Sequence, residues 1–325
     1  MPPPLPYTEA WLSGPHSTQF YTRVYKPFVN FTSTRISNTN ASSSNSPTAI
    51  LIFLHGAAEH CGRYTGMHEA LAKEGVVVWA FDLRGFGRTA LGCSDASEGR
   101  SDYGDTDKER QMDDVEWAIG CVRKEYGEEV PVFLMGMSMG GGLALGVMCD
   151  KRRTKHQLVQ NISGIIAGSP CLTLTNKVPR VVMWVARAVA FFWPYMIYPV
   201  RNKPEDLSRN PITNAEYVVD PLIKTPGSFR SLLDMIDLGA SILSDGYLNW
   251  PKDTPILLLH GTDDPVTSFE STKALFEKLP ISDNMKSLIA YPGAYHELQN
   301  EPDGIRESFL ADIVNFIRTQ SVCEA

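Results

Sequence analysis

Residues 131–143 read Pro131-Val132-Phe133-Leu134-Met135-Gly136-Met137-Ser138-Met139-Gly140-Gly141-Gly142-Leu143. A short apolar run of the kind a buried strand carries ends in Gly-x-Ser-x-Gly and passes into a glycine-rich helix start. In that setting the serine occupies a sharp strand-to-helix turn, its hydroxyl lifted clear of the backbone. Gly136 and Gly140 let the chains around the turn approach closely. Ser138 is therefore the candidate nucleophile, and the elements on either side of it decide the fold.

Working outward, Ala49–Leu54 and Val76–Phe81 are continuous apolar runs, as in parallel strands buried on both faces. A helix is expected over Tyr64–Glu74 and an amphipathic one over Asp105–Tyr126, with Met112, Val115, Ala118, Ile119 and Val122 on one side. Residues 7–29 suggest an antiparallel opening hairpin that includes the strand Gln19–Tyr25, and Ser33–Ser46 is polar enough to be a solvated loop. After the serine's own helix, Ile162–Ala167 reads as one more buried strand. The alternation stops at Gly168-Ser169-Pro170 and resumes with the strands Pro255–Gly261 and Ser287–Tyr291 and a last helix, Gly304–Thr319. This order predicts an α/β fold with a doubly wound, mostly parallel sheet. Residues 1–168 and 251–325 would form the core, with a helical cap, 169–250, inserted between the sixth and seventh strands.

Bulk composition narrows the function. The 325 residues are 43% hydrophobic and 21% charged, with a net charge of −7 and no basic stripe, which argues against nucleic acid. The six cysteines (Cys61, Cys93, Cys121, Cys149, Cys171 and Cys323) lack metal-ligand spacing and read as reduced packing residues of a cytoplasmic protein. Met1–Pro6 has neither the charge nor the apolar run of a secretory signal, so the sequons at Asn30, Asn40 and Asn161 are expected to stay idle. Cys323-Glu324-Ala325 is one residue short of a prenylation box. Val178–Val200 is very apolar, but Arg180 and Arg187 interrupt it and Pro179, Pro194 and Pro199 break it. A spanning helix needs about 20 apolar residues, so this segment is not expected to span.

A serine hydroxyl becomes a nucleophile when a neutral imidazole takes its proton and a carboxylate fixes that imidazole's tautomer. Gly261-Thr262-Asp263-Asp264-Pro265-Val266 and Gly293-Ala294-Tyr295-His296-Glu297 each follow an apolar strand, where open α/β sheets place their ligands. Of the seven histidines only His296 lies after both the serine and the carboxylate, so it is the expected base. Asp263 and Asp264 compete for the orienting role. Position favours Asp264, leaving Asp263 to cap the turn. The oxyanion hole needs two backbone N–H groups, expected from Met139, directly after the serine, and from Ala57 in the loop after the first buried strand. His55 and His60 precede the serine; His60 is expected to buttress that loop. A metal site from His55, Glu59 and His60 matches no ligand spacing, so neither metal nor cofactor is expected.

With these residues in view, the chain resembles the α/β-hydrolase family, and more narrowly the monoacylglycerol lipases. His55-Gly56-Ala57-Ala58-Glu59-His60-Cys61-Gly62-Arg63-Tyr64 is similar to that family's HGxGEHxGRY, and Tyr291-Pro292-Gly293-Ala294-Tyr295-His296 to its histidine loop. Leu207-Ser208-Arg209-Asn210, Tyr217 and Asp220-Pro221-Leu222 also resemble it. The resemblance implies Ser138, Asp264 and His296 as a triad, with Ala57 and Met139 as the hole. It further implies that Glu59, Arg63 and Tyr217 lie near the polar end of the substrate, although Glu59 and Arg63 also suit a plain ion pair holding the loop. Two departures bear on the substrate. Met137 stands where the family carries histidine, and Ala58 stands where glycine is common, which would narrow the entrance. Thr89 in place of serine is a minor change.

The cap repeats Val181, Trp184, Val185, Ala188, Phe191 and Phe192 at helical spacing, apolar on two sides. Packing of a lid onto the body is the first reading of this spacing; since a small lid cannot bury two apolar sides, part would line an acyl channel and part touch membrane or lipid droplet. The expected reaction is hydrolysis of a small lipid ester, a monoacylglycerol, to fatty acid and glycerol through an acyl-enzyme. Rival readings are a lysophospholipase or general carboxylesterase, an aminopeptidase, and a non-catalytic ligand receptor on the same scaffold.

Overall fold

A computed structural model describes residues 4–27, 47–92, 102–199 and 201–322. The expectations for Ser33–Ser46, Asn30, Asn40, Cys93, Cys323 and the extreme ends of the chain lie outside these residues. Eight strands form a single sheet: β1 (Thr8–Ser13), β2 (Gln19–Tyr25), β3 (Ala49–Leu54), β4 (Val76–Phe81), β5 (Val132–Met137), β6 (Gly164–Gly168), β7 (Ile256–Gly261) and β8 (Lys286–Tyr291). Their order is β1-β2-β4-β3-β5-β6-β7-β8. β1 and β2 pair antiparallel, β2 runs antiparallel to β4, and every other neighbour is parallel.

The helices follow in chain order: α1 (Thr65–Lys73), α2 (Gly87–Leu91), α3 (Lys108–Tyr126), α4 (Met139–Cys149), α5 (Gln157–Gln160), α6 (Arg180–Phe192), α7 (Pro211–Val219), α8 (Phe229–Ser244), α9 (Phe269–Lys278) and α10 (Ile305–Val322). Strand side chains alternate between faces, which divides the core in two. Ile50, Ile52, Leu54, Trp79 and Phe81 pack with Met112, Val115 and Ile119 of α3 and with α4. Leu51, Phe53, Val78 and Ala80 pack with Met67 and Leu71 of α1 and with Phe309 and Ile313 of α10. Each large side chain so buried stabilises the fold by about 1.5–3 kcal/mol.

Most boundaries match the apolar runs. α3, however, starts at Lys108 instead of Asp105. Asp107 takes the cap position, where its carboxylate accepts the Arg110 N–H at 3.0 Å. Asp105 instead pairs with the Arg110 guanidinium at 2.7 Å.

The stretch between β6 and β7 carries α6, α7 and α8. Polar clips hold it to the rest of the molecule. Glu301, buried ahead of α10, accepts hydrogen bonds from Ser208 Oγ (2.8 Å), Arg209 N–H (2.7 Å) and Arg209 Nε (2.7 Å). The Glu297 N–H donates to Leu207 O at 2.8 Å, and His60 Nε2 lies 2.8 Å from Asp220 Oδ2. His60 thus joins its loop to the inserted stretch. Among the described residues, no helix is long and apolar enough to cross a membrane.

At the turn into α4 the backbones nearly touch. A Cβ on Gly140 would lie 2.2 Å from the Leu54 carbonyl oxygen and 2.7 Å from that of His55, and one on Gly136 would lie 2.1 Å from the Gly140 carbonyl. Gly140→Ala should therefore lower the unfolding free energy by about 3 kcal/mol or more. A chemical-denaturation midpoint equal to that of the unsubstituted chain would contradict this close approach.

Candidate active site

Ser138 joins β5 to α4 with φ 54° and ψ −115°. That left-handed backbone is costly for serine, by about 1–3 kcal/mol, and it persists because both flanks are fixed. The Ser138 N–H donates to Gly168 O (3.0 Å), and Ser138 O accepts from Cys171 N–H (2.9 Å) and Gly142 N–H (3.0 Å). Met139 opens α4, so its N–H belongs to the helix's first turn and lacks an intrahelical acceptor.

The loops after β7 and β8 bring Asp264 to His296. His296 Nδ1 lies 2.8 Å from Asp264 Oδ2, both side chains being buried. The other carboxylate oxygen accepts the N–H groups of Val266 (2.7 Å) and Thr267 (2.9 Å). Burial alone would push the Asp264 carboxyl up. The His296 and His260 imidazoles beside it outweigh that and hold it well below the usual carboxylate range. For His296 burial disfavours the charged ring, but the Asp264 carboxylate more than offsets it, so its pKa lies above the ordinary 6.5. Asp263 is exposed, and its carboxylate accepts from Thr262 Oγ1 at 2.9 Å. Of the two adjacent aspartates, Asp264 is the one that reaches the histidine.

Ser138 and His296 line one cavity of about 230 Å³. Among the described residues no hydrogen bond ties the Ser138 hydroxyl to a neighbour; contacts of this kind often tighten only when substrate is bound. Ala57, Glu59 and Tyr217 line the same cavity. Arg63 stands outside that lining. Its Nη2 donates to both Glu297 carboxylate oxygens at 2.8 Å, its Nε lies 3.5 Å from Glu59, and its guanidinium sits 4.8 Å over the Tyr217 ring. Glu59 also accepts from the Gly56 N–H (3.1 Å) and the Tyr64 hydroxyl. Burial pushes the Glu59 carboxyl up, and the neighbouring Glu297 adds to this against the pull of Arg63. In Glu297 the Arg63 guanidinium outweighs burial and keeps the carboxyl low.

His55, Glu59 and His60, whose spacing fits no metal site, each have polar partners of their own. His55 directs Nδ1 to Gly56 O (2.7 Å) and accepts the Leu83 N–H at Nε2 (2.8 Å), while His60 turns to Asp220. Burial lowers the His55 pKa to about 4. Cys61, Cys121, Cys149 and Cys171 are free thiols. Cys171 lines the cavity, but burial pushes its thiol up to about 12, far from a thiolate.

Of the two departures from the family pattern, Met137 does line the cavity. Its side chain packs over Gly168, where a Cβ would lie 2.2 Å from the sulfur. Ala58 does not narrow the entrance. Its methyl is fully buried and outside the lining, and what sets it apart is a left-handed φ of 66°.

Three polar residues near the site went unrecognised in the sequence. His260 and Thr267 both touch Asp264, and Glu301 holds the histidine loop by accepting the Tyr295 N–H at 3.1 Å. His260 carried a signal, since it is the one polar side chain in the run Ile256–His260. Glu301 carried none, because the partners it ties to that loop, Ser208 and Arg209, lie about 90 residues away in sequence.

An eight-stranded, mostly parallel sheet with a serine at a strained strand-to-helix turn, and a histidine and an aspartate on later loops, defines an α/β-hydrolase. The sequence profile of the serine aminopeptidase S33 group matches residues 45–303. A relative from Schizosaccharomyces pombe is 32% identical over 263 residues, 78% of this chain; the chain spans 63% of that protein's length. The monoglyceride lipase of Rattus norvegicus is 31% identical over 282 residues, 84% of each chain. In structure, a soluble variant of the Saccharomyces cerevisiae monoglyceride lipase, crystallised with a substrate analog, superposes with a TM-score of 0.77 at 22% identity, covering 98% of this chain and 96% of that one. The chain belongs to the monoglyceride lipase family of α/β-hydrolases and is a serine ester hydrolase.

Ala58 gives the test of this loop's backbone. Glycine adopts a left-handed φ without the steric cost alanine bears, less what it loses in the unfolded chain. Ala58→Gly should therefore raise stability by about 0.5–1 kcal/mol. A melting temperature that falls instead would show that the methyl's packing outweighs the strain.

Proposed function

We propose that the protein hydrolyses monoacylglycerols through an acyl-enzyme. Ser138 attacks the ester carbonyl while His296 takes the hydroxyl proton and passes it to the leaving glycerol oxygen. Asp264 holds the imidazole with Nδ1 protonated, so that the other ring nitrogen serves as base. The N–H groups of Met139 and Ala57 receive the developing oxyanion. Water, activated by His296 in turn, then releases the fatty acid.

One observation carries the substrate assignment. Ser138 and His296 share a cavity whose further walls include Leu174, Val182, Met183, Leu232 and Ile236, with Tyr217 and Gln299 adding polar groups. The apolar walls suit a neutral acyl chain. An aminopeptidase needs free carboxylates for the substrate amine. Glu59 and Glu297 line the cavity, but Arg63 engages both, holding Glu297 through two hydrogen bonds and lying 3.5 Å from Glu59.

The assignment is tested with a panel of monoacylglycerols, lysophospholipids, short p-nitrophenyl esters and aminoacyl anilides. Monoacylglycerols should turn over best, and Ser138→Ala should reduce kcat by ~10⁴-fold or more. Residual turnover close to that of the unsubstituted chain, or anilides outrunning esters, would overturn the reading.

The inserted stretch 169–250 acts in this reading as a cap that delivers substrate from a lipid surface. On α6, Val182, Met183 and Ala186 line the cavity. Trp184 is 73% and Phe191 80% exposed, and Val181, Phe192 and Trp193 beside them are exposed too. A patch so large and apolar suits the interfacial zone of a membrane or lipid droplet. Trp184→Ser combined with Phe191→Ser should cut hydrolysis of vesicle-borne monoacylglycerol about 10-fold or more, while soluble short esters are cleaved as before. Equal losses on both substrates would argue against a lipid-facing α6.

A further inference from the structure

Asp264 is touched by a second histidine. His260, fully buried at the end of β7, places Nε2 3.1 Å from Asp264 Oδ2 and 3.1 Å from the Thr267 carbonyl oxygen. Both neighbours are acceptors, so Nε2 carries the hydrogen. Nδ1 lies 2.8 Å from Thr272 Oγ1 on α9, whose hydroxyl donates to it, and the Phe269 ring stands edge-on at 5.8 Å. The ring is therefore held at both nitrogens and on one face, with its N–H aimed at the carboxylate.

The same oxygen, Asp264 Oδ2, also receives His296 Nδ1 at 2.8 Å and lies 2.9 Å from Thr267 Oγ1. An ionised carboxylate oxygen with this many donors keeps one orientation and divides its charge among them. The titratable and charged groups facing this pair are His260 from β7, the Cys171 thiol near Asp264, and Glu297 and Glu59 near His296. Among these groups, His260 alone joins Asp264 from the strand side through a donated hydrogen bond.

We propose that His260 is a positioning residue for the ester hydrolysis. Its Nε2–H fixes the Asp264 carboxylate in the orientation that His296 needs, and it withdraws part of that carboxylate's charge from the His296 hydrogen bond. His260 itself touches no substrate. The inference rests on the Ser138–His296–Asp264 reading above.

Two substitutions separate this role from an architectural one. A glutamine amide can reach the place of Nε2, whereas the shorter asparagine amide reaches only the place of Nδ1. His260→Gln should keep kcat within about 3-fold of the unsubstituted enzyme. His260→Asn should lower kcat about 10-fold or more with KM little changed, one charge-assisted hydrogen bond being lost. With that donor gone, Asp264 holds the protonated His296 more strongly, so the acid limb of the pH–rate profile should move to higher pH in His260→Asn and stay in place in His260→Gln. Melting curves confirm that each variant is folded at the assay temperature. If His260→Asn does not fold, a loss of kcat or a shifted acid limb in His260→Gln counts against the proposal. Equal losses in both variants, or an acid limb that does not move in a folded His260→Asn, would refute it. Failure of the triad reading itself looks different, because Ser138→Ala would then retain its turnover whatever residue stands at 260.

Discussion

Everything at the site follows from one approach of backbone to backbone. The first turn of α4 passes so close to the ends of β3 and β5 that no side chain fits between them, and only Gly136 and Gly140 permit it. Between these two glycines Ser138 takes the left-handed φ of 54°. Hydrogen bonds from the turn to Gly168 and Cys171 hold the strain in place. Its consequence is geometric. The serine side chain projects into the cavity that His296 also lines, and Met139 begins its helix with an N–H free of intrahelical bonding. Sheet, helix and proposed nucleophile are thus set by a single steric condition.

The electrostatics follow the same economy. Asp264 and His296 are buried where an isolated charge is costly, and donors crowd around the carboxylate to keep it ionised. Beside His296, Glu59 and Glu297 pose the opposite problem, two carboxyls competing for one guanidinium. Arg63 holds Glu297 as the anion and leaves Glu59 with a raised pKa. The cavity thus has a fixed negative charge behind its histidine, and near that histidine a carboxyl, Glu59, that takes a proton more readily than an ordinary glutamate.

The sheet was largely legible because its information is local. The runs Ala49–Leu54 and Val76–Phe81 bound β3 and β4 to the residue, and Gln19–Tyr25 does so for β2. The spacing of serine, aspartate and histidine was legible because strand ends fix where such residues can meet, and His296 does meet Asp264. What escaped detection depends on pairs distant in sequence or on backbone angles. Arg63 suits both a substrate contact and an ion pair holding its loop; it pairs with Glu59, and what the sequence does not show is its bond to Glu297, some 230 residues away. The methyl of Ala58 was expected at the entrance, and a left-handed turn sends it into the core. His260 precedes the aspartate in the chain, so chain order does not mark it, and its Nε2 faces two acceptors instead of the serine.

The inserted stretch shows how burial and exposure are divided on one helix. Its lower parts are clipped to the body by charged and polar groups, Glu301 to Ser208 and Arg209 and Asp220 to His60, which fix position without needing apolar area. The apolar residues of α6 are thereby free for other uses. Those at 182, 183 and 186 face the cavity, and those at 181, 184, 191 and 192 face away from the protein. Leaving Trp184 and Phe191 in water forgoes about 25 cal/mol for each Å² of apolar surface that burial would have gained. Arg187, between the two sets, pairs with Asp237 on α8 at 2.6 Å, which ties the helix down without covering its outer face. A helix anchored in this way keeps its rotation about its own axis. Under the proposed function that rotation matters, because it holds the cavity-lining side toward Ser138 while the outer side meets the lipid from which the ester comes.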